Sequence, residues 1–358
     1  MASYLTPRFG ARLAAALRRL WPWSRPPVER YRDFNGRYFA DFYEQERMLA
    51  DGPRMALYHA AIQRHVHPGD RVIDLGTGTG ILAALAARRG AAVVHAIDHS
   101  PILTHARTLA AANGLTSILF ADVHSTEFSL PEPVDVILHE QMGDCLFDED
   151  MVANVTDLRD RLLKSGGRIV PSRFEFYCEP VKVRDARHVP FIWELKVHGY
   201  DYSVLERKRP QDPGYYHLRS SDLGLVEHCL GEPAPALTFD LHTVHEADLP
   251  RTLTFRRTIL HPGRLDGYAV YFRALVDDDL ALGSGPLDPG RAPHWGFRLL
   301  RTDRADFAAG EVIEVRLTIG AWTDLDSWRW SHRRIPDAPT TPLNPPAAPD
   351  PSKTGSAA

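Results

Sequence analysis

Two acidic side chains, Glu140 and Glu149, stand nine residues apart in the stretch His139-Glu140-Gln141-Met142-Gly143-Asp144-Cys145-Leu146-Phe147-Asp148-Glu149, directly after the apolar run 134–138. An ionised carboxylate only accepts hydrogen bonds, so two on one hairpin-like loop suit a flat cation rich in donors. Guanidinium fits best, because it offers five N–H groups in a fixed fork. Spacing alone does not establish this, since acids on loops are commonly solvated. The run before the loop adds weight: it reads as a buried strand, and open parallel sheets bind ligands at the carboxyl ends of their strands.

A second constellation lies upstream, in Val72-Ile73-Asp74-Leu75-Gly76-Thr77-Gly78-Thr79-Gly80-Ile81. A short apolar run passes through Gly76, Gly78 and Gly80 into a helical pattern, as where backbone must approach a nucleoside ligand closely. Asp98 ends the next apolar run, where a carboxylate can accept hydrogen bonds from both ribose hydroxyls. A dinucleotide site wants G-x-G-x-x-G so that pyrophosphate meets a helix N-terminus; here the spacing is G-x-G-x-G. Asp74, two residues ahead of the first glycine, would repel pyrophosphate and instead orient the cationic amino group of a methionine moiety. S-adenosylmethionine is therefore the expected cofactor.

The elements that must hold these groups follow from hydrophobic periodicity. Met55, Tyr58, Ile62 and Val66 recur at helical spacing. Strands are predicted at 72–75, 93–97, 118–121 and 134–138. Helices are predicted from Ile81 to Gly90, between Ser100-Pro101 and Asn113-Gly114, and through Met151, Val155, Leu158 and Leu162 to Gly166-Gly167. Repeated strand–helix units imply a parallel sheet covered by helices. Beyond about residue 174 the period becomes two, in 252–259, 268–276 and 312–319, with His261-Pro262-Gly263 and Asp288-Pro289-Gly290 as turns. That half is predicted to be an antiparallel barrel or sandwich, with the boundary near Pro171.

Composition supports a soluble two-domain protein of 358 residues, 44% apolar and 25% charged. The net charge of −4 gives no basic footprint for nucleic acid. Cys145, Cys178 and Cys229 are widely spaced and make neither a disulfide ladder nor a metal-ligand pattern, which fits a reducing cytoplasm and predicts no metal. Residues 1–35 form a basic segment, within which residues 1–30 carry Arg8, Arg12, Arg18, Arg19, Arg25 and Arg30 against Glu29. Residues 9–21 could rest on a membrane as an amphipathic helix, but a frayed terminus or surface helix is the plainer expectation. Residues 336–358, rich in Pro, Ala, Ser and Thr, are expected to be disordered.

The 139–151 stretch resembles the double-glutamate loop of the protein arginine methyltransferase family, S-E-x-M-G-x-x-L-x-x-E-x-M, through Glu140, Met142, Gly143, Leu146, Glu149 and Met151. Tyr38-Phe39 and Met48-Leu49-x-Asp51-x-x-Arg54 resemble the family's N-terminal helices. Asp74 to Ile81, Asp98 and Ala111-x-Asn113-Gly114 resemble its cofactor motifs, Gly199-Tyr200-Asp201 its approach to the dimerisation arm, and Pro293-His294-Trp295 its Thr-His-Trp loop. The resemblance implies a Rossmann-like class I methyltransferase domain over 36–172 and an antiparallel β-barrel domain over 173–335, with an arm at about 200–235 that forms a homodimer. It also implies that Glu140 and Glu149 clamp the guanidinium and that His294 pairs with Asp51 as a catalytic unit. Arg54 would bind the cofactor carboxylate. Met48, Asp74, Gly76, Gly78, Gly80 and Asp98 would complete the cofactor site, and Asp122 is the acid assigned near the adenine. Tyr38, Met142, Met151 and Trp295 would surround the acceptor.

The sequence departs from the family in the loop, where aromatic residues are replaced by Gln141 and Asp144, and at Pro293, which replaces Thr. The implied activity is N-methylation of an arginine guanidino group in a protein or peptide. Two alternatives stay open: free arginine or another small guanidine as acceptor, with Asp144 holding an α-ammonium, or a catalytically silent homologue. The run Asp277-Asp278-Asp279 could attract a basic peptide or be a solvated turn.

Overall fold

A computed structural model describes residues 37–336, so the basic segment 1–35 and the tail beyond Pro336 lie outside the described residues. The described chain opens with α1 (Phe42–Ala50) and α2 (Gly52–His65). Asp41 caps α1 by accepting the Tyr43 N–H, and Asp51 caps α2 by accepting the Arg54 N–H at 3.0 Å, with Pro53 in the first turn where its missing N–H costs nothing.

Five parallel strands follow: β1 (Arg71–Leu75), β2 (Val93–Asp98), β3 (Ile118–Asp122), β4 (Val134–His139) and β5 (Leu163–Val170). Their order is β3-β2-β1-β4-β5, and α3 (Ile81–Arg88), α4 (Leu103–Ala112) and α5 (Met151–Leu162) lie between them in sequence. Val72, Ile73, Val94, Ala96, Val136, Ile137 and Leu138 are all buried, which is why these strands read as continuous apolar runs. One boundary differs from the sequence reading. α5 stops at Leu162, and Gly166-Gly167 lie inside β5. Gly166 has φ +73°, and a Cβ on Gly167 would come 2.6 Å from Leu163 Cδ1, so the glycines allow a tight kink in the strand.

After Val170-Pro171-Ser172 the chain becomes antiparallel. β6 (Arg173–Val183), β9 (His217–Ser220), β10 (Val226–Cys229), β13 (Gly263–Leu275) and β15 (Phe297–Phe307) line up as β10-β6-β13-β15-β9, with β11 (Leu237–Asp240) on β6 and β14 (Ala281–Gly283) on β13. A second sheet has the order β12-β16-β17, from Thr252–Thr258, Val312–Ala321 and Asp324–Ile335. The strands do not bond into one closed barrel. The sheets instead share an aromatic core in which Phe176 meets Trp328 at 5.9 Å and Phe147, from the double-glutamate loop, meets Trp322 at 4.3 Å.

Between β6 and β9 the chain leaves the sheet and forms the hairpin β7 (Lys196–Val197) and β8 (Tyr200–Asp201). His198 and Gly199 turn it with φ of 49° and 88°, as a two-residue hairpin turn requires. β9 and β10 fall inside the 200–235 stretch and belong to the main sheet.

One buried ion pair is central to this half. Glu179 on β6 is fully buried and accepts from Arg257 Nε at 2.8 Å and Nη2 at 2.7 Å. Burial raises the Glu179 pKa while Arg257 opposes the shift. Arg257→Leu would strand a buried carboxylate and should cost about 3–5 kcal/mol in denaturant unfolding, whereas the Glu179→Leu/Arg257→Leu double variant should recover most of the loss.

Candidate active site

Strand pairing brings the two constellations together. Leu75 at the end of β1 pairs with His139 at the end of β4, so Gly76 and Glu140 begin neighbouring loops. Leu75 also pairs with Ile97, which sets Asp98 on the other side. The chain direction of the sheet order reverses between β1 and β4, the position where open sheets form their ligand crevice. The cleft there is lined by Leu75 to Thr79, Asp98, Glu140 and Glu149, and is covered by Phe39, Gln45, Met48, Leu49 and Arg54 of the N-terminal helices.

The glycine turn is shaped for close approach. Gly76, Gly78 and Gly80 have φ of 70°, 55° and 87°, and a Cβ on Gly78 would stand 3.1 Å from Gln45 Oε1. Asp98 receives the Gly78 N–H at 2.9 Å and the Ser100 N–H at 2.8 Å, and its remaining lone pairs can meet a ribose. Asp74 sits behind the turn instead of in the cleft. Its Oδ2 accepts the Thr77 hydroxyl at 2.6 Å and the Ala83 N–H at 2.9 Å, and burial lifts its pKa to about 6. Arg54 Nε, on the wall of the cleft, is buried without a partner, where the carboxylate of a bound amino acid would be met; the second Asp74 oxygen is also without a partner, behind the turn. These residues fit a nucleoside that carries an amino-acid tail.

The double-glutamate loop is tightly folded. The Leu146 N–H bonds to the Gly143 carbonyl at 2.8 Å, Leu146 has φ 73°, and the Asp148 carboxylate lies over Gly143 so closely that a Cβ there would collide with it. Leu146 and Phe147 are buried in the core, which anchors the middle of the loop. Glu140 Oε2 is 2.5 Å from Arg54 Nη2, and Arg54 Nη1 donates to the Met48 carbonyl at 2.8 Å. Burial raises the Glu140 pKa and Arg54 opposes that shift. Glu149 faces the same cleft without such a partner. Burial first, then the charges of Glu140, Asp148 and Asp144, push its pKa well above the ordinary carboxylate range.

Several residues assigned to the site from the sequence have other duties. Met142 and Met151 are buried in the core and do not line the cleft. Trp295 is also in the core, and its indole N–H donates to the Met142 carbonyl, tying the 293–296 loop to the double-glutamate loop. Asp51 does not meet the His294 ring; it accepts the His294 backbone N–H at 2.9 Å while capping α2. His294 Nδ1 is buried without a partner, and burial with the nearby Arg54 lowers the ring's pKa to about 4, which makes it a poor proton acceptor. Asp144 is buried and spends three of its acceptor sites on Arg219 and the Gly296 N–H, so its charge is already balanced without an ammonium. Asp122 is exposed and turned from the cleft, where Val123, His124 and Ser125 stand instead. Tyr38 engages Glu44, and its neighbour Phe39 lines the cleft. Asp277 and Asp278 form a surface turn paired with Arg64 and Arg173.

The cleft also contains residues that sequence reasoning missed. Gln45 and Leu49 lie one helical turn on either side of Met48 or beside it, so helical spacing from Met48 could have found Gln45. Asn154 follows Asp150 by one turn of α5, and its amide lies 3.4 Å from Gln141 Oε1. His99 and Ser125 carried no spacing signal.

Comparison with known proteins agrees with this geometry. A family model described as ribosomal protein L11 methyltransferase matches residues 54–172. The protein arginine N-methyltransferase PRMT10 of Oryza sativa subsp. japonica is 30% identical over 324 residues, covering 82% of this chain and 85% of its own length. Human protein arginine N-methyltransferase 2 is 32% identical over 289 residues, covering 74% of this chain and 65% of its own. Among solved structures, Arabidopsis thaliana protein arginine methyltransferase 10 superimposes with a TM-score of 0.67 at 26% identity, over 79% of this chain and 89% of that one. The Trypanosoma brucei PRMT1 enzyme–prozyme complex shares the fold, with a TM-score of 0.69 at 24% identity, over 83% and 99% of the two chains. With this extent of similarity across both halves, the chain belongs to the protein arginine N-methyltransferase family.

Proposed function

We propose that this protein is an S-adenosylmethionine-dependent methyltransferase that modifies a guanidino nitrogen of arginine in a protein. The observation that carries the reading is the convergence of Glu140 and Glu149 on a cleft whose other wall is the glycine turn and Asp98. Relatives named as protein arginine N-methyltransferases favour a protein acceptor over free arginine. Intact glutamates facing the cleft disfavour a silent homologue.

S-adenosylmethionine supplies the electrophilic sulfonium methyl. The chain's own work is electrostatic. Guanidinium keeps its proton, with a pKa above ~12, and delocalisation makes it a weak nucleophile. Glu140 and Glu149 draw positive charge toward the nitrogens they touch, which raises electron density at the nitrogen left free to attack. Arg54 holds Glu140 in its ionised, fixed orientation, and Met48 carries the Arg54 guanidinium on its carbonyl. Holding both reactants in line can contribute roughly 7–11 kcal/mol at best. The product must lose a proton, and Glu149, with its raised pKa, is the acceptor we assign. Burial and the neighbouring Arg54 lower the His294 pKa, which favours Glu149 over His294 for that step.

We further infer a homodimer. Val189, Tyr200 and Val204 are large apolar side chains left exposed on the segment between β6 and β9, and Leu109 and Leu119 are exposed on and beside α4 of the first domain. A second copy can cover the former with the latter. The cytoplasm is the compartment we assign, since all three cysteines are buried and unbridged.

Glu149→Gln should bind S-adenosylhomocysteine as the parent does, read by thermal shift, yet lose about 2–5 kcal/mol of transition-state stabilisation in peptide methylation followed by mass spectrometry. Comparable turnover would defeat the clamp. A raised carboxylate pKa means that Glu149 of the free enzyme is protonated below that pKa. kcat/KM should therefore rise with pH through a limb displaced to the alkaline side of the ordinary glutamate range, and this limb should vanish in Glu149→Gln. Tyr200→Glu with Val204→Glu should convert the dimer to monomer in light scattering; an unchanged mass would remove this segment from the interface.

A further inference from the structure

Position 144, where the sequence departs from the family's aromatic residue, seats a carboxylate among cations. Asp144 accepts from Arg219 Nε and Nη2 and lies 3.6 Å from Arg298 Nη2. On the facing helix α1, Glu44 accepts from Arg47 at 2.8 Å, and Arg47 also reaches the His294 carbonyl at 3.4 Å. Three guanidinium groups here share two carboxylates.

Their exposures decide the sign of the surface. The Asp144 side chain is 8% exposed, against 47% for Arg219 and 23% for Arg298. The Glu44 side chain is 11% exposed, against 29% for Arg47. In every pair the acid faces inward and the cation outward. Arg291 adds a further buried cation whose Nε and Nη1 have no partner; its Nη2 donates to the Trp295 carbonyl. Tyr38 and Glu44 both act on the Arg219 charge, so Arg219 stands between the double-glutamate loop and the N-terminal helix that covers the cleft. Arg219 Nη1 makes no hydrogen bond among the described residues and is available to an incoming group.

We propose that Arg219, backed by Arg47 and Arg298, recognises a carboxylate on the protein substrate beside the target arginine. The inference rests on the arginine-methylation reading above and names the substrate class for that site. With Nε and Nη2 of Arg219 donating to Asp144, the outer Nη1 N–H groups remain to meet an incoming carboxylate in a charge-assisted bond, and the outward positive field disfavours substrates with further basic residues at the same place. The carboxylate can belong to an acidic side chain or to a free C-terminus.

The test uses the full chain and a panel of peptides that share one arginine and differ at its neighbour: Asp, Asn or Lys, each with an amidated C-terminus. A fourth peptide ends on the arginine with a free carboxylate, beside its amide. kcat/KM is read by mass spectrometry of methyl transfer. The Asp peptide should exceed the Asn peptide by about tenfold and the Lys peptide by more, with the gap closing at high salt. Within Arg219→Gln the Asp-to-Asn ratio should fall to about two or less, and Arg219→Lys should restore much of it. The ratio is taken inside each variant, so a general loss of activity does not imitate the effect. A preference confined to the free C-terminal carboxylate would identify that source. An Asn or Lys peptide used as well as the Asp peptide, with no preference for the free C-terminal carboxylate over its amide either, or a carboxylate preference unchanged in Arg219→Gln, would overturn the proposal. Absence of methyl transfer to every peptide would instead overturn the arginine-methylation reading beneath it.

Discussion

Charge imbalance inside a dry cleft governs the rest of this structure. Glu140 and Glu149 are both withdrawn from water, and a single buried cation, Arg54, is bonded to one of them. A buried carboxylate without a cation is costly to ionise, so the Glu149 pKa stands above the ordinary carboxylate range and falls when positive charge arrives. The site is thus built around the charge of its substrate. A planar cation set between the two glutamates would relieve the repulsion that raises the Glu149 pKa, and the same relief couples binding to activation.

The rest of the molecule keeps this arrangement from collapsing. Alone, a loop carrying Glu140, Asp144, Asp148 and Glu149 would be repelled open. It is held at one end by β4 and at the other by α5, and through its middle by Leu146 and Phe147 in the shared core. The antiparallel half contributes the remaining ties: Arg219 and Gly296 take up Asp144, and the Trp295 indole takes up the Met142 carbonyl. On the other side Asp51 joins the start of α2 to the His294 backbone. The second domain therefore bears directly on the geometry of the glutamates.

Much of this was legible in the sequence, for reasons that can be traced to particular residues. The period switch near Pro171, the glycine turn and the strand-ending Asp98 depend on local pattern, and local pattern is what a sequence displays. Glu140 and Glu149 were found because the loop begins at a strand end. What escaped was the direction of side chains. Met142, Met151 and Trp295 sit in the right motif yet point into the core, because the loop needs apolar anchors as much as it needs acids. Asp144 and Asp51 have the residue type for chemistry, but backbone N–H groups and arginines distant in sequence consume their acceptors. No single-sequence pattern announces Arg219 as a partner of Asp144, since the two meet only when β9 joins β15 beside the loop. Alternation also could not decide between a barrel and a sandwich, because it fixes strand faces but not which edges bond.

The central claim is that Glu149 ionises to meet a guanidinium. Calorimetry of an arginine peptide binding to the S-adenosylhomocysteine complex, repeated in buffers of different ionisation enthalpy across the pH range of the Glu149-dependent activity limb, reads that event directly as proton release. The account expects protons to be released on binding to the parent protein, with the release lost in Glu149→Gln. Binding of equal strength with no proton exchanged in either protein would contradict it.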